Sequence, residues 1–223
     1  MLVKPHVFEF LDSYAIYASG ELLAKLQREA YAENLPIISR EVAGFLSLLL
    51  RIHKPRRILE IGCAVGFSAA LFLEVLPNAQ ITTIERFDYM ITRAKENFDV
   101  LGVGDKIRLL EQDAADALPQ LVGNNERFDF IFLDAAKGQY MRFLPYVLRL
   151  LENDGIFCVD DVMQKGTLMR DLTDIPRRQR TTHRNLKQFL DAVMTDGRLK
   201  SMILPIGDGL LVSIKERNDC ETD

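Results

Sequence analysis

Two carboxylates close short apolar runs in this chain: Asp134 after FDFIFL, and Asp160, followed at once by Asp161, after GIFCV. An earlier run ends in a glycine turn, Glu60-Ile-Gly-Cys-Ala-Val-Gly. If these runs are neighbouring parallel strands, all three features open onto one crevice at the carboxyl edge of a sheet, where open α/β folds bind ligands. Converging aspartates with room for water and a chelating ligand suit a hard dication such as Mg²⁺ rather than zinc. The competing role for a strand-end aspartate is to cap the next helix.

The turn itself sorts ligands. Gly62 and Gly66 follow a strand and precede a helix, but the spacing is E-x-G-x-x-x-G, with Ala64 where a dinucleotide fingerprint places its second glycine. Backbone amides then have no close approach to a pyrophosphate, which argues against NAD. A ligand without phosphates needs no such approach, and Glu60 is expected to take a cationic group such as an amino acid's ammonium. Glu85 closes the following run, where an acid accepts ribose hydroxyls, and Asp113-Ala114 after the third run is placed to border an adenine. Any one of these acids could be a helix cap or a solvated strand end; the ordered set points to an adenosine ligand.

The elements that must position them are legible as alternation. Glu21 to Asn34 has apolar residues at three- and four-residue spacing and is stopped by Pro36; Ser39 then caps a helix to about His53. After Pro55, apolar runs at Ile58–Ile61, Ile81–Ile84, Ile107–Leu110, Phe128–Leu133 and Ile156–Val159 are separated by helical stretches near Phe67–Leu76, Tyr89–Leu101, Ala114–Leu121 and Tyr140–Leu151. This is the pattern of parallel strands with helices on both faces. A helix near Thr182–Met194 leads to SMILPI and LLVSIK across Gly207-Asp208-Gly209, a hairpin. The expectation is one α/β domain of 223 residues: a helical cap over residues 1–55, a core over 56–217 and a tail over 218–223.

Bulk properties narrow the class. With 48% hydrophobic and 27% charged residues, well mixed, the chain is globular. Its apolar stretch from Val42 to Leu50 is too short to span a bilayer, and no signal-peptide pattern precedes it. Cys63, Cys158 and Cys220 form neither a CxxC pair nor an even framework, so reduced thiols in a cytoplasmic protein are expected. Between Lys165 and Lys187 stand seven Lys/Arg against two Asp, a balance of +5, while the remaining 21 basic and 30 acidic residues leave −9. One basic segment on an acidic body suggests a local anionic partner. Phe8, Phe10, Leu11, Tyr14 and Tyr17 near the N-terminus would serve as a homodimer surface or as a lid.

Taken together, the turn, the ribose acid and the adenine-side acid resemble the S-adenosylmethionine pocket of the class I methyltransferases, whose sheet is five parallel strands ending in an antiparallel hairpin. LDAAKGQY around Asp134, VDD around Asp160 and Ser68 after the turn resemble the cation-dependent O-methyltransferases of the catechol and caffeoyl-CoA type. That resemblance implies a metal held by Asp134, Asp160 and Asp161, the last standing where Asn is usual. It also implies Lys137 as catalytic base, with Asp134 beside it, and Ile38, Glu60, Gly62, Gly66, Ser68, Glu85, Asp113, Ala114 and Asp134 about the cofactor. A nearby dication disfavours the ammonium form of a lysine, as general-base work requires.

Within that family, LDAAKGQY, the segment from Asp161 to Gly166, IPRRQRTTHR and LPIGDGLLVSIK are similar to the bacterial tRNA 5-hydroxyuridine methyltransferases, from about Ile37 to Lys215. The substrate so implied presents O5 beside O4, a vicinal pair that one Mg²⁺ chelates much as it chelates a catechol. Arg177, Arg178, Arg180 and Arg184 would then hold phosphates of an anticodon loop; otherwise they form a solvated face. The competing acceptor is a small catechol or caffeoyl-type phenol, and a non-catalytic RNA-binding module is a further reading that the intact Asp134, Asp160 and Lys137 argue against.

Overall fold

A computed structural model describes residues 20–217, together with His6, Val7 and Phe10. Of the aromatic and apolar N-terminal residues singled out above, only Phe10 is among them, and it is exposed; Phe8, Leu11, Tyr14 and Tyr17 lie outside the described residues, as do Cys220 and the tail.

The alternation expected from the apolar runs is realised as a seven-stranded sheet. Its strands are β1 (Arg57–Ile61), β2 (Gln80–Glu85), β3 (Ile107–Glu111), β4 (Phe128–Leu133), β5 (Leu151–Val159), β6 (Leu199–Leu204) and β7 (Leu210–Lys215), in the spatial order β3-β2-β1-β4-β5-β7-β6. The first five are parallel and the last two form an antiparallel hairpin beside β5. Chain direction across the sheet reverses between β1 and β4, so the residues that follow these two strands border the crevice where α/β sheets bind ligands.

Helices α1 (Glu21–Ala32), α2 (Arg40–His53), α3 (Phe67–Val75) and α4 (Asp88–Leu101) supply the core on one face. Helices α5 (Ala114–Gly123), α6 (Tyr140–Leu150) and α7 (Arg180–Thr195) supply it on the other. Because strand side chains alternate, Phe130 and Phe132 of β4 face α3, where both meet Phe72 edge-on, while Ile131 and Leu133 face the second cluster. Each such fully buried side chain contributes about 1.5–3 kcal/mol. Ser39 caps α2 as expected, its hydroxyl accepting from Val42 N at 3.3 Å. Strand β5 starts earlier than the apolar run suggests. Helix α6 passes into it at Leu151 with no turn residue between, and Lys215 donates to the carbonyls of Leu148 and Leu151 there.

Between β5 and α7 the chain runs through three short 3₁₀ turns, Thr167–Met169, Leu172–Asp174 and Arg177–Gln179. This is the basic segment. Among the described residues, no helix is long and apolar enough to cross a membrane.

Candidate active site

Two cavities meet at the carboxyl ends of β1, β4 and β5. One, of about 420 Å³, lies over the glycine turn and is lined by Gly62, Cys63, Ala64 and Ser68, by Glu85, Asp113 and Ala114, and by Asp134 and Lys137, with Ile38 closing it from the start of α2. The other is an open cleft of about 670 Å³ walled by Ile37, Arg40, Asp160 and Asp208. Asp134 and Asp161 line both. A ligand in the enclosed cavity and one in the open cleft would therefore face each other across these two acids.

The turn is shaped by what it must avoid. Gly62 has φ +102°, and a Cβ there would collide with the carbonyl oxygen of Asp134. Gly66, at φ +83°, caps α3 and leaves room for the Phe98 ring; it supports the turn without lining the cavity. Ala64 adopts a left-handed conformation at φ +46°, and its amide donates to Glu85 Oε2 at 2.9 Å. The amide that would approach a pyrophosphate is thus occupied by a carboxylate, in keeping with the rejection of NAD.

Glu85 does more than the reading of strand ends suggested. Besides Ala64 N it accepts from Arg86 N at 2.8 Å and Phe87 N at 3.0 Å, so one carboxylate ties the end of β2 to the turn after β1 while still lining the cavity. Asp113 likewise has two tasks. It caps α5 by accepting from Ala115 N at 2.8 Å and pairs with Arg86 at 2.7 Å, and these two contacts hold its carboxyl below the usual range.

Glu60 departs from expectation. On β1 it shares a face with Ile58 and not with Leu59 and Ile61, so period-two alternation sends it beneath α3. It is fully buried, does not line the cavity, and its two oxygens accept from Ser68 Oγ and Thr83 Oγ1. Burial pushes its pKa up to about 7 despite those two donors. In this ligand-free structure it supports the turn from beneath.

The acids at the junction carry unrelieved charge. Asp134 N donates to Ile61 O and Asp160 N to Leu133 O, both at 3.0 Å, which extends the β1–β4–β5 ladder by one residue and sets the two side chains at neighbouring strand ends. Burial first, then carboxylate neighbours, raise the pKa of both: Asp161 acts on Asp134, while Asp134 and Asp161 act on Asp160. Two oxygen-only donors that resist ionising together are what a hard dication relieves. Asp161 does not complete the expected three-acid set: its Oδ2 accepts from Lys137 Nζ at 2.8 Å, and no group of three metal-ligating side chains forms among the described residues.

The four arginines divide. Arg177 and Arg178 are exposed and make no hydrogen bond or ion pair through their side chains among the described residues. Arg180 is committed to its own chain, donating to Ile175 O at 2.9 Å and Thr173 O at 3.3 Å, because three short turns leave those carbonyls without helical partners. Arg184 reaches only Arg180 O, at 3.4 Å. None lines either cavity, but α7 abuts the lysine loop, with Asn185 Nδ2 donating to Gly138 O at 3.1 Å. Residues not singled out from the sequence also line the two cavities: Arg86, Phe87 and Gln112 around the enclosed one, Arg40 and Asp208 in the cleft. Arg86 and Phe87 follow β2 and Gln112 follows β3, so extending the strand-end rule by two residues finds them.

Known proteins share this architecture. Residues 13–216 match the O-methyltransferase family. Tapetum-specific methyltransferase 1 of Arabidopsis thaliana is 32% identical over 207 residues, covering 90% of this chain and 88% of its own. A catechol O-methyltransferase of Mycobacterium tuberculosis is 32% identical over 172 residues, covering 76% and 77%. Among solved structures, the SAH-bound Podospora anserina methyltransferase PaMTH1 superposes with a TM-score of 0.83 at 27% identity, covering 97% of each chain.

Proposed function

The chain belongs to the O-methyltransferase family, and from that premise we propose that it methylates one oxygen of a vicinal pair, using S-adenosylmethionine and Mg²⁺, with 5-hydroxyuridine at the wobble position of a tRNA anticodon loop as acceptor. The observation that carries the reading is the meeting of two cavities at Asp134 and Asp161, one sized for a nucleoside ligand and the other open to a large acceptor.

When bound, S-adenosylmethionine supplies an electrophilic methyl group, and Mg²⁺ supplies a Lewis acid that chelates and acidifies adjacent oxygens. The protein's part is placement. Glu85, already fixed by three amides, retains lone pairs for ribose hydroxyls; Asp113 and Ala114 border the base; Ser68 and the Gly62 turn flank the amino-acid end. Asp134 and Asp160 would hold the cation, with Asp161 as a third donor on leaving Lys137. Lys137, once it has parted from Asp161 and given up its ammonium proton to solvent, would take the hydroxyl proton as the new oxygen–carbon bond forms and the sulfonium–methyl bond breaks, leaving a thioether. Arg177 and Arg178, exposed just before α7, are offered to loop phosphates.

A second acceptor, a small catechol or caffeoyl-type phenol, is favoured by the names of the relatives, among them the catechol enzyme of M. tuberculosis; at the level those relatives reach, it is the better supported of the two. The unpartnered arginines favour RNA. Nucleoside analysis of tRNA from cells lacking this gene separates them: loss of 5-methoxyuridine with gain of 5-hydroxyuridine is expected, and unchanged nucleosides would leave the phenol reading.

A further inference from the structure

Apart from the two cavities just described, the segment after β5 and the first half of α7 enclose a groove of about 540 Å³. Arg170, Arg184 and Lys187 line it. The side chains of Arg170 and Lys187 make no hydrogen bond or ion pair among the described residues, so their charge is available. His183 stands in the same wall at 4% exposure, with neither ring nitrogen hydrogen-bonded.

Both ring nitrogens are closed off from the groove, so the imidazole shapes its wall without reaching a ligand, and what the groove offers is the cationic ends of Arg170, Arg184 and Lys187. Burial first, then Lys187 and Arg184, hold the His183 pKa below the ordinary value, and those two neighbours mark a locally positive field. Asp171 and Asp191 also line the groove. Their charge offsets part of the cationic excess, so the groove suits one anion seated between its cations better than a polyanion at large.

We propose that this groove is a separate phosphate site that binds one phosphodiester of an RNA acceptor through Arg170 and Lys187, with Arg184 in the same wall. The proposal rests on the RNA reading of the acceptor, and adds a contact distinct from the arginines of the Arg177–Gln179 turn. Arg170, Arg184 and Lys187 line neither of the two cavities that meet at Asp134, so their loss acts on RNA binding and not on the cofactor.

The test is fluorescence anisotropy of a synthetic anticodon stem-loop RNA with wild-type protein, Arg170→Glu and Lys187→Glu. Arg170 and Lys187 have no side-chain partner among the described residues to lose, so both variants should fold. Each charge reversal is expected to weaken RNA binding about tenfold and to make the salt dependence shallower by about one phosphate's worth, with S-adenosylmethionine affinity unchanged by calorimetry. RNA binding by the wild type that survives undiminished in both charge-reversal variants would overturn the groove alone. Failure of the wild type to bind the RNA would overturn the groove together with the RNA reading.

Discussion

Lys137 Nζ lies 2.8 Å from Asp161 Oδ2, so the residue expected to act as base is paired with a residue expected to bind metal. The pair bridges the loops after β4 and β5. Asp161 sits in the left-handed region at φ +58°, a conformation that Asp and Asn tolerate better than other side-chain-bearing residues. Either residue fits that backbone, but Asp alone offers the lysine a full negative charge. Cation and base thus compete for one carboxylate.

Lys137→Ala is expected to slow methyl transfer by about 10²–10⁴-fold, the usual worth of a general base, with cofactor affinity unchanged. Single-turnover kinetics and calorimetry check the two halves separately. Asp161→Asn should cost at most about 1 kcal/mol of stability, as for a partly exposed ion pair, whereas Asp161→Ala adds the strain of a left-handed backbone, about 1–2 kcal/mol.

Asp160→Asn should stabilise the ligand-free protein while abolishing transfer. The mutual repulsion that raises both buried carboxyls is removed along with a metal donor. Asp134→Ala and EDTA should abolish transfer as well, with excess Mg²⁺ restoring only the chelated wild type. Thermal unfolding and activity, measured on the same samples, test whether stability and function move in opposite directions.

Glu85→Ala should weaken S-adenosylmethionine binding by about 1–3 kcal/mol, the cost of leaving polar partners unpaired. Because its carboxylate also holds three amides, the melting temperature should fall too. Unchanged affinity in calorimetry would mean that the ribose is held elsewhere.

Glu60 governs a pH dependence. Its pKa rises from 4.5 to about 7 in the folded, ligand-free protein, so between those values the native state binds the extra proton and stability falls as pH rises. The loss is complete above about pH 7 and absent below about pH 4.5. Glu60→Gln should remove that slope and, at pH 8, be the more stable protein by about 3 kcal/mol. Parallel stability curves for the two proteins from pH 5 to 8 would contradict this.

The sheet was legible because Ile58–Ile61, Ile81–Ile84, Ile107–Leu110, Phe128–Leu133 and Ile156–Val159 are short runs bounded by apolar residues that alternate with helical stretches, and their ends located Glu85, Asp113, Asp134 and Asp160. The burial of Glu60 beneath the turn follows from its face, which its register with Ile58 made visible in the sequence, and not from its place at a strand end. The Lys137–Asp161 pair was not legible, since it depends on how two loops from different strands turn toward each other. Nor was Arg180's bond to Ile175 O, which arises from 3₁₀ turns that show no periodicity.

The most direct test of the account is methyl transfer by purified protein from labelled S-adenosylmethionine, with Mg²⁺, to tRNA bearing 5-hydroxyuridine and, in parallel, to catechol. The account predicts 5-methoxyuridine in the tRNA, loss of that product on charge reversal at Arg177 and Arg178, and little turnover of catechol. Brisk methylation of catechol with none of tRNA, indifferent to those arginines, would contradict it.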